Sequence, residues 1–469
     1  MDLPAQLFID ATDRLPEAST GGQTVDAQAV DIDKDGDMDV VLANEFEVNV
    51  LLINNGSGRF TDAGPGAIPA RVHDSEDIAI ADYNRDGHTD IVFVSEDDFE
   101  HEYYVNDGNT VFSRASFLPF TSCNAVATAD LNRDGAPDLL LGNRGQNMLL
   151  INNGLGEFIN ETPDRLPILA DSTHDVKLVD VDNDLDHDII LGNEDGNRLF
   201  INNGSGVFSD QSLARLPQNS AIDTRKIVPG DVDMDGDVDL FLATVKFSAG
   251  KDPQNRLWIN DGNGFFRDVT DEQLPLIPDQ AVDGVFTDLN RDRIPDLVVS
   301  GVLNQPLKFY INDGQGFFSN RTDDVVGGSQ ILEDSIDVFS VITADFNLDG
   351  FDDLYVCNRA GQDRLFFRDP EARLPSSSSV IDLSSANSLL QLFPNPTQQS
   401  FRLSGELSMQ LESSVQLFDL MGRQLAEMEP TETGSGHRQY ALPSDLAAGT
   451  YLLRVRGAGQ SYVLRLQQL

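Results

Sequence analysis

Seven nine-residue stretches of this chain place oxygen-bearing side chains at alternate positions, in the pattern Asp-x-(Asp/Asn)-x-Asp-x-x-x-Asp. They begin at Asp31, Asp82, Asp130, Asp180, Asp231, Asp288 and Asp345, at intervals of 51, 48, 50, 51, 57 and 57 residues. Crowded carboxylates repel one another unless a cation lies between them, and a tight loop that turns alternate side chains inward gives a hard cation its oxygen shell. Calcium is the expected ion, up to seven per chain. In the first loop Asp31, Asp33 and Asp35 supply side-chain oxygens, Gly36 permits the sharp turn, the carbonyl of Asp37 points inward and Asp39 closes the site.

The same positions are held by Asp82, Asn84, Asp86, His88 and Asp90 in the second loop and by Asp130, Asn132, Asp134, Ala136 and Asp138 in the third. They are held by Asp180, Asp182, Asp184, Asp186 and Asp188 in the fourth, and by Asp231, Asp233, Asp235, Asp237 and Asp239 in the fifth. The sixth uses Asp288, Asn290, Asp292, Ile294 and Asp296, and the seventh Asp345, Asn347, Asp349, Phe351 and Asp353. An EF-hand loop begins alike but needs a bidentate Glu at its twelfth position. That position is apolar here in every copy: Leu42, Phe93, Leu141, Leu191, Leu242, Val299 and Val356. Apolar runs of strand length, such as Val40-Val41-Leu42 and Leu240-Phe241-Leu242, follow the closing Asp, so these loops join strands.

A second signature follows each loop: NVLLINNGSGRF from Asn49, NMLLINNGLGEF from Asn147, NRLFINNGSGVF from Asn197 and NRLWINDGNGFF from Asn255. Asn-Gly or Asp-Gly between apolar runs is a hairpin signal, because both turn residues must accept positive φ. Each unit therefore reads as four strands. Strand one enters the Asp loop and strand two leaves it; strand three enters the Asn-Gly turn and strand four carries Phe-x-(Asp/Asn)-x-Thr. Such units, about 50 residues long, are the signature of β-propeller blades, and seven loops predict an all-β, seven-bladed propeller over 1–370. The seventh copy lacks its turn and fourth strand, where Arg368-Asp369-Pro370 stands instead. The stretch from Phe8 to Pro16 matches that from Phe158 to Pro167, so the N-terminal strand is expected to complete the last blade. The first strand of each blade is expected to be buried between its neighbours.

The chain has 469 residues and a net charge of −46, and its seven loops hold 28 of its 78 acidic residues. Seven divalent cations would cancel 14 of those charges. The surplus argues against nucleic acid and anionic membrane surfaces as partners, because phosphate binding needs basic patches. No run of 18 apolar residues exists, so no transmembrane segment is expected. Residues 1–16 lack the basic start and apolar centre of a secretory signal, so export calls for a signal that precedes this numbering. Cys123 and Cys357 occupy non-equivalent positions and read as two buried thiols.

Residues 371–391, with Ser376 to Ser379, have a linker's composition. From 392 to 469 there are six Arg and seven acidic residues, so the acidity belongs to the repeats. Alternation in Val415-Gln416-Leu417-Phe418 and in the run from Tyr451 to Val455 predicts a small Ig-like β-sandwich.

With these motifs the repeats resemble the FG-GAP/VCBS family, the repeat of the integrin α-chain head and of many bacterial surface proteins. The resemblance implies a propeller with structural calcium loops. Two copies depart from it: Leu185 and Arg293 replace the turn Gly of the fourth and sixth loops. A side chain in a left-handed turn costs about 1 kcal/mol, which predicts weaker or absent binding there. The tail resembles the C-terminal sorting domain of the type IX secretion system of Bacteroidetes. The resemblance rests on the run from Phe393 to Thr397 with Phe401, on the run from Val415 to Arg423, and on the run from Leu446 to Leu453. It implies handling of 392–469 by the type IX machinery and a secreted or outer-membrane cell-surface location.

The strand order puts the Asp loops and the Asn-Gly turns on one face of the disc. Longer, more varied connections gather on the opposite face, where a glycan or protein ligand is expected. Asp26, Asp77, Asp175 and Asp283 stand five residues before their loops, near that face and the axis. They form either an acidic rim of the channel or bonds to neighbouring backbone. The function expected is a secreted calcium-binding adhesion module. The alternative is a carbohydrate-active enzyme similar to propeller polysaccharide lyases, with His73, His174 and Tyr104 as the available bases.

Overall fold

The computed structural model describes residues 7–115, 118–218, 222–277, 280–303, 305–326 and 337–374, and most of the strands between 391 and 468. It divides into two compact units, Met1–Leu374 and Pro375–Leu469. The linker expected at 371–391 and the tail residues 394–397 and 419–423 lie mainly outside the described residues.

The first unit is a β-propeller of five four-stranded antiparallel sheets and one eight-stranded sheet, in which the strands of the third and fourth repeats are combined. In the first blade the strands are Thr24–Val30, Asp39–Asn44, Val50–Ile53 and Thr61–Asp62. The innermost strands touch in cyclic order, and that of the last blade, Val338–Ala344, touches Thr24–Val30. Phe8–Asp10 pairs antiparallel with Arg364–Arg368, in register Phe8 to Arg368 and Asp10 to Phe366, as the outer strand of the last blade. The third and fourth repeats are joined where Arg144 and Gly145 pair with Ser172 and Asp171.

The strand buried between neighbours is the second, not the first. Asp39–Asn44 is buried at every residue, whereas Thr24–Val30 is buried in its first half and partly open along the axis. Period-two alternation explains the apolar run. Val40 and Leu42 pack toward the last blade, against Phe346, Tyr355 and Leu365, while Val41 and Ala43 pack toward the second, against Ile78, Ile91 and Phe93. Each fully buried Val, Leu or Phe contributes about 1.5–3 kcal/mol, so a strand apolar on both faces ties three blades together.

The Phe-x-(Asp/Asn)-x-Thr motif ends the fourth strand. Asp10, Asn160, Asp268 and Asn320 each accept, through Oδ1, the backbone N–H two residues on, at 2.9, 3.0, 3.0 and 3.0 Å. Such local acceptors favour a turn over continued pairing. One-turn helices follow at Thr162–Arg165, Ser212–Arg215, Thr270–Gln273 and Thr322–Val326, with a 3₁₀ turn at Thr12–Arg14 in the N-terminal copy.

In the second unit, two four-stranded antiparallel sheets share a core of Leu403, Val415, Leu417, Met428, Tyr440 and Leu453. Among the described residues no helix is long and apolar enough to cross a membrane.

Candidate functional site

Each Asp loop is held open by its own backbone. The first carboxylate accepts the N–H of the sixth residue and, in every loop but the first, that of the fifth, which in the first loop goes to Asp33. In the third loop these are Asp134 N to Asp130 Oδ1 at 3.0 Å and Gly135 N to Asp130 Oδ2 at 2.8 Å. The fifth carboxylate accepts the N–H of the seventh residue, as in Ala136 N to Asp134 Oδ1 at 2.9 Å. Bonds of the same kind fix Asp231, Asp288 and Asp345.

The closing Asp is fully buried in every loop, at Asp39, Asp90, Asp138, Asp188, Asp239, Asp296 and Asp353. Its Oδ2 accepts the N–H of the loop's second residue, and its Oδ1 accepts the N–H that begins the Asn-Gly turn. For Asp39 the donors are Ile32 at 3.1 Å and Asn54 at 2.8 Å. Burial pushes these carboxyls up, to about 6 at Asp90 and Asp138 and about 7 at Asp39, Asp188, Asp239, Asp296 and Asp353, against the two N–H bonds that pull them down.

Carboxylate oxygens of Asp31, Asp33 and Asp39 lie within 4.8 Å of one another, as do those of Asp180, Asp182, Asp188 and of Asp231, Asp233, Asp239. In these loops Asp31 Oδ1, Asp182 Oδ1 and Asp233 Oδ1 are buried oxygens without a hydrogen-bond partner. Converging, unpartnered oxygens are the donor set of a hard cation, and the first, third and closing positions fit it. The fifth and seventh positions lie outside the 4.8 Å groups. In the second, third and sixth loops Asn84, Asn132 and Asn290 stand at the third position and donate to Asp86, Asp134 and Asp292. In the seventh loop, whose third position is Asn347, Phe351 N donates to Asp349 Oδ1 at 3.0 Å.

The fourth and sixth loops keep the geometry. Leu185 and Arg293 take φ of +69° and +68°, in the left-handed region that Gly36, Gly87, Gly135, Gly236 and Gly350 occupy, and donate to Asp180 and Asp288 as the glycines do.

A role at the fourth position escaped the sequence reading. Lys34, Arg85, Arg133, Asn183, Met234, Arg291 and Leu348 all have positive φ, and most of the polar ones reach the next blade's loop. Lys34 donates to Gly87 O, Arg85 to Asp134 O at 3.1 Å, Arg133 to Asp184 O at 3.4 Å and Asn183 to Asp237 Oδ1 at 2.9 Å, while the Arg291 guanidinium lies over Phe351. Four basic residues among seven fourth positions were the available signal. The turn Asn reaches the other way. Asn54, Asn152, Asn202, Asn260 and Asn312 donate through Nδ2 to Phe346, Tyr83, Leu131, Val181 and Val232 carbonyls of the preceding blade. In the last blade Arg368 stands in, with its N–H on Asp353 and Nη2 on Leu289 O at 2.9 Å.

At the axis, Asp77, Asp175 and Asp283 accept the backbone N–H groups of Val126, Ile227 and Val341 in the next blade, at 2.7, 2.7 and 2.9 Å. Of the two readings of these aspartates, the bond to neighbouring backbone describes them. Lys226, equivalent in position and overlooked in the sequence, lies 3.8 Å from Asp283 and has its pKa raised by Asp283, Asp26, Asp175 and Asp77. Of the candidate bases, Tyr104 is buried with its hydroxyl on Glu102 at 2.9 Å, and His73 is 2% exposed. Burial, with Arg225 and Arg144 nearby, lowers His174 to about 3.

The FG-GAP-like repeat family matches six times, over 31–93, 82–141, 130–191, 180–242, 246–299 and 288–356. The chain belongs to that family. Each match runs from at or near one Asp loop to the strand beyond the next, so the seven loops bound six matches. The secretion system C-terminal sorting domain matches 391–467, which makes this a secreted or cell-surface FG-GAP protein handled by the type IX system. Among solved structures, BBS1N in complex with ARL6DN, soaked with mercury, is similar at 13% identity and a TM-score of 0.52, over 79% of this chain and 99% of that one. A lead-soaked crystal of the same complex gives 12% and 0.51 over the same shares. These likenesses concern the propeller fold alone. No curated protein matches the sequence.

Proposed function

We propose that the protein is a calcium-stabilised binding module, displayed or released outside the cell, whose ligand face is the one opposite the Asp loops. The observation that carries this reading is the contrast between the faces. On the loop face most polar side chains of the fourth loop position and the turn Asn residues bond to neighbouring blades. The connections of the first blade instead line a cleft of about 660 Å³ that includes Phe46, Glu47, Val48, Asp62 and Val72, with Phe46 and Val72 half exposed or more. An apolar patch edged by acidic groups suits the ring faces and hydroxyls of a glycan, or a surface protein segment.

Calcium would be held by the first, third and closing residues of each loop. There it would supply positive charge that draws two strands and the Asn-Gly turn together. A glycan array probed with full-length protein in calcium tests the reading. Binding should appear and fall at least tenfold in Phe46→Ala with Val72→Ala. Binding that survives both substitutions places the ligand elsewhere, and incubation with uronate polysaccharides that yields unsaturated product would favour the lyase reading.

A further inference from the structure

We propose that Glu45, Asp74 and Glu76 hold a hard divalent cation in a metal site separate from the seven Asp loops. The three come from connections on the opposite face: Glu45 follows the second strand of the first blade, and Asp74 and Glu76 lead into the first strand of the second. One carboxylate oxygen of each lies within 4.8 Å of the others.

Two further observations point to a missing ligand. Asp74 is 1% exposed; its Oδ2 accepts Asp97 N at 2.8 Å, and its Oδ1 has no hydrogen-bond partner among the described residues. His73, 2% exposed beside it, has no hydrogen bond at either ring nitrogen, and its Nδ1 is 3.8 Å from Asp98 Oδ2. Glu96, Asp97 and Asp98 add to the negative field around the cluster. The cation that visibly answers it is Arg359 of the last blade, which pairs with Glu45 at 2.6 Å. One guanidinium faces three acids, and like charges held together away from water without enough opposite charge are strongly unfavourable.

A single divalent ion between the three would neutralise them and give Asp74 Oδ1 its partner. An all-carboxylate set selects a hard ion of the calcium or manganese kind over a soft one. Three protein ligands fill only part of a six- to eight-coordinate shell, so water or an outside oxygen ligand completes it.

Crystals of the full chain soaked in Mn²⁺ give the direct test. An anomalous difference peak is expected between Glu45, Asp74 and Glu76, in addition to any at the loops. Peaks at the loops with none at this cluster would overturn the proposal, and would mean that a proton on one of the acids relieves the repulsion. In solution, equilibrium dialysis with metal analysis should find one ion fewer in Glu76→Gln than in the unaltered protein, with the chelator-induced fall in melting temperature kept. Equal stoichiometry would also overturn it. A peak here with empty loops would retain this site and reject the calcium-loop reading, so the two fail separately.

Discussion

At the propeller axis Asp26, Asp77, Asp175 and Asp283 lie near Lys226; the last three accept N–H groups from the next blade, and Asp26 accepts the Ser340 hydroxyl. In the first and fifth Asp loops no basic side chain reaches Asp31, Asp33, Asp39, Asp231, Asp233 or Asp239 among the described residues. Both regions pack carboxylates more closely than water would allow, and both recur around the ring. They differ in where the balancing charge originates. The axis carries it covalently, as the ammoniums of Lys177 and Lys226 on the fourth and fifth blades, whereas the first and fifth loops carry backbone dipoles alone. Stability of the first region should therefore follow sequence, and stability of the second should follow the ion in the medium.

Removing calcium should have the largest effect. At ten to a hundred times the dissociation constant, each filled loop adds about 1.4 to 2.7 kcal/mol, and several loops act on one ring. Thermal unfolding of the full chain in excess chelator should shift down by many degrees, with recovery in calcium and poorer recovery in magnesium, whose octahedral demand suits these loops badly. An unchanged melting curve would erase the distinction between the two regions.

Substituting the internal cation comes next. Lys226→Met removes the ammonium that faces Asp283 and Asp26 while Lys177 stays on Asp175, a loss of about 3–5 kcal/mol. Denaturation measured with and without calcium should show the same loss in both, because the deficit is not one that the loops' ion can fill. If calcium restored the variant, the axis would be an ion site as well.

How much of this was legible in the sequence depends on the distance over which each contact is made. The Asp loops and Asn-Gly turns were legible because their geometry is set within nine or twelve residues. The reach of Arg85 to Asp134, and of Asn54 to Phe346, was not, because it joins residues in different blades and depends on the radius of the ring. Lys226 went unnoticed because it breaks the acidic pattern at its position, although only beside the four aspartates does a lysine there make physical sense. Arg368 was read as the loss of a turn, yet its N–H and guanidinium replace what the turn Asn does in other blades. The partly exposed first strand was misjudged because Ala and Val along a channel look like core residues until the channel is seen.

Within the loops, two substitutions separate the backbone's part from the ion's. Asp39→Asn keeps one acceptor but turns an amide N–H₂ toward one of its two backbone donors, at a cost of about 1–3 kcal/mol whether or not calcium is present. Asp33→Asn should cost nothing measurable in chelator and weaken only the calcium-dependent part, since Asn already occupies that position at Asn84, Asn132, Asn290 and Asn347. Chemical denaturation of both variants in calcium and in chelator gives the four values needed. Equal calcium-free stability of the two would mean that the closing Asp acts only through the ion.

The smallest effect should come from the turn residue. Leu185 sits at φ +69° and is 84% exposed, so its side chain gains little from packing while its backbone carries the left-handed penalty of about 1 kcal/mol. Glycine removes the penalty but loosens the unfolded chain, which returns about 0.4–1 kcal/mol. Leu185→Gly should therefore be near neutral in chelator and show at most a few tenths of a kcal/mol of gain with calcium. Leu185 N donates to Asp180 Oδ2 at 2.9 Å, the bond that glycine N–H groups make in the other loops, and Arg293 N does the same to Asp288. Calorimetric titration of the variant against the unaltered chain decides the point. If glycine raises the number of bound ions, backbone strain was keeping the fourth loop empty. If the count is the same, the loop binds as its carboxylates dictate, and the departure from glycine is tolerated because the turn is paid for by the folded ring.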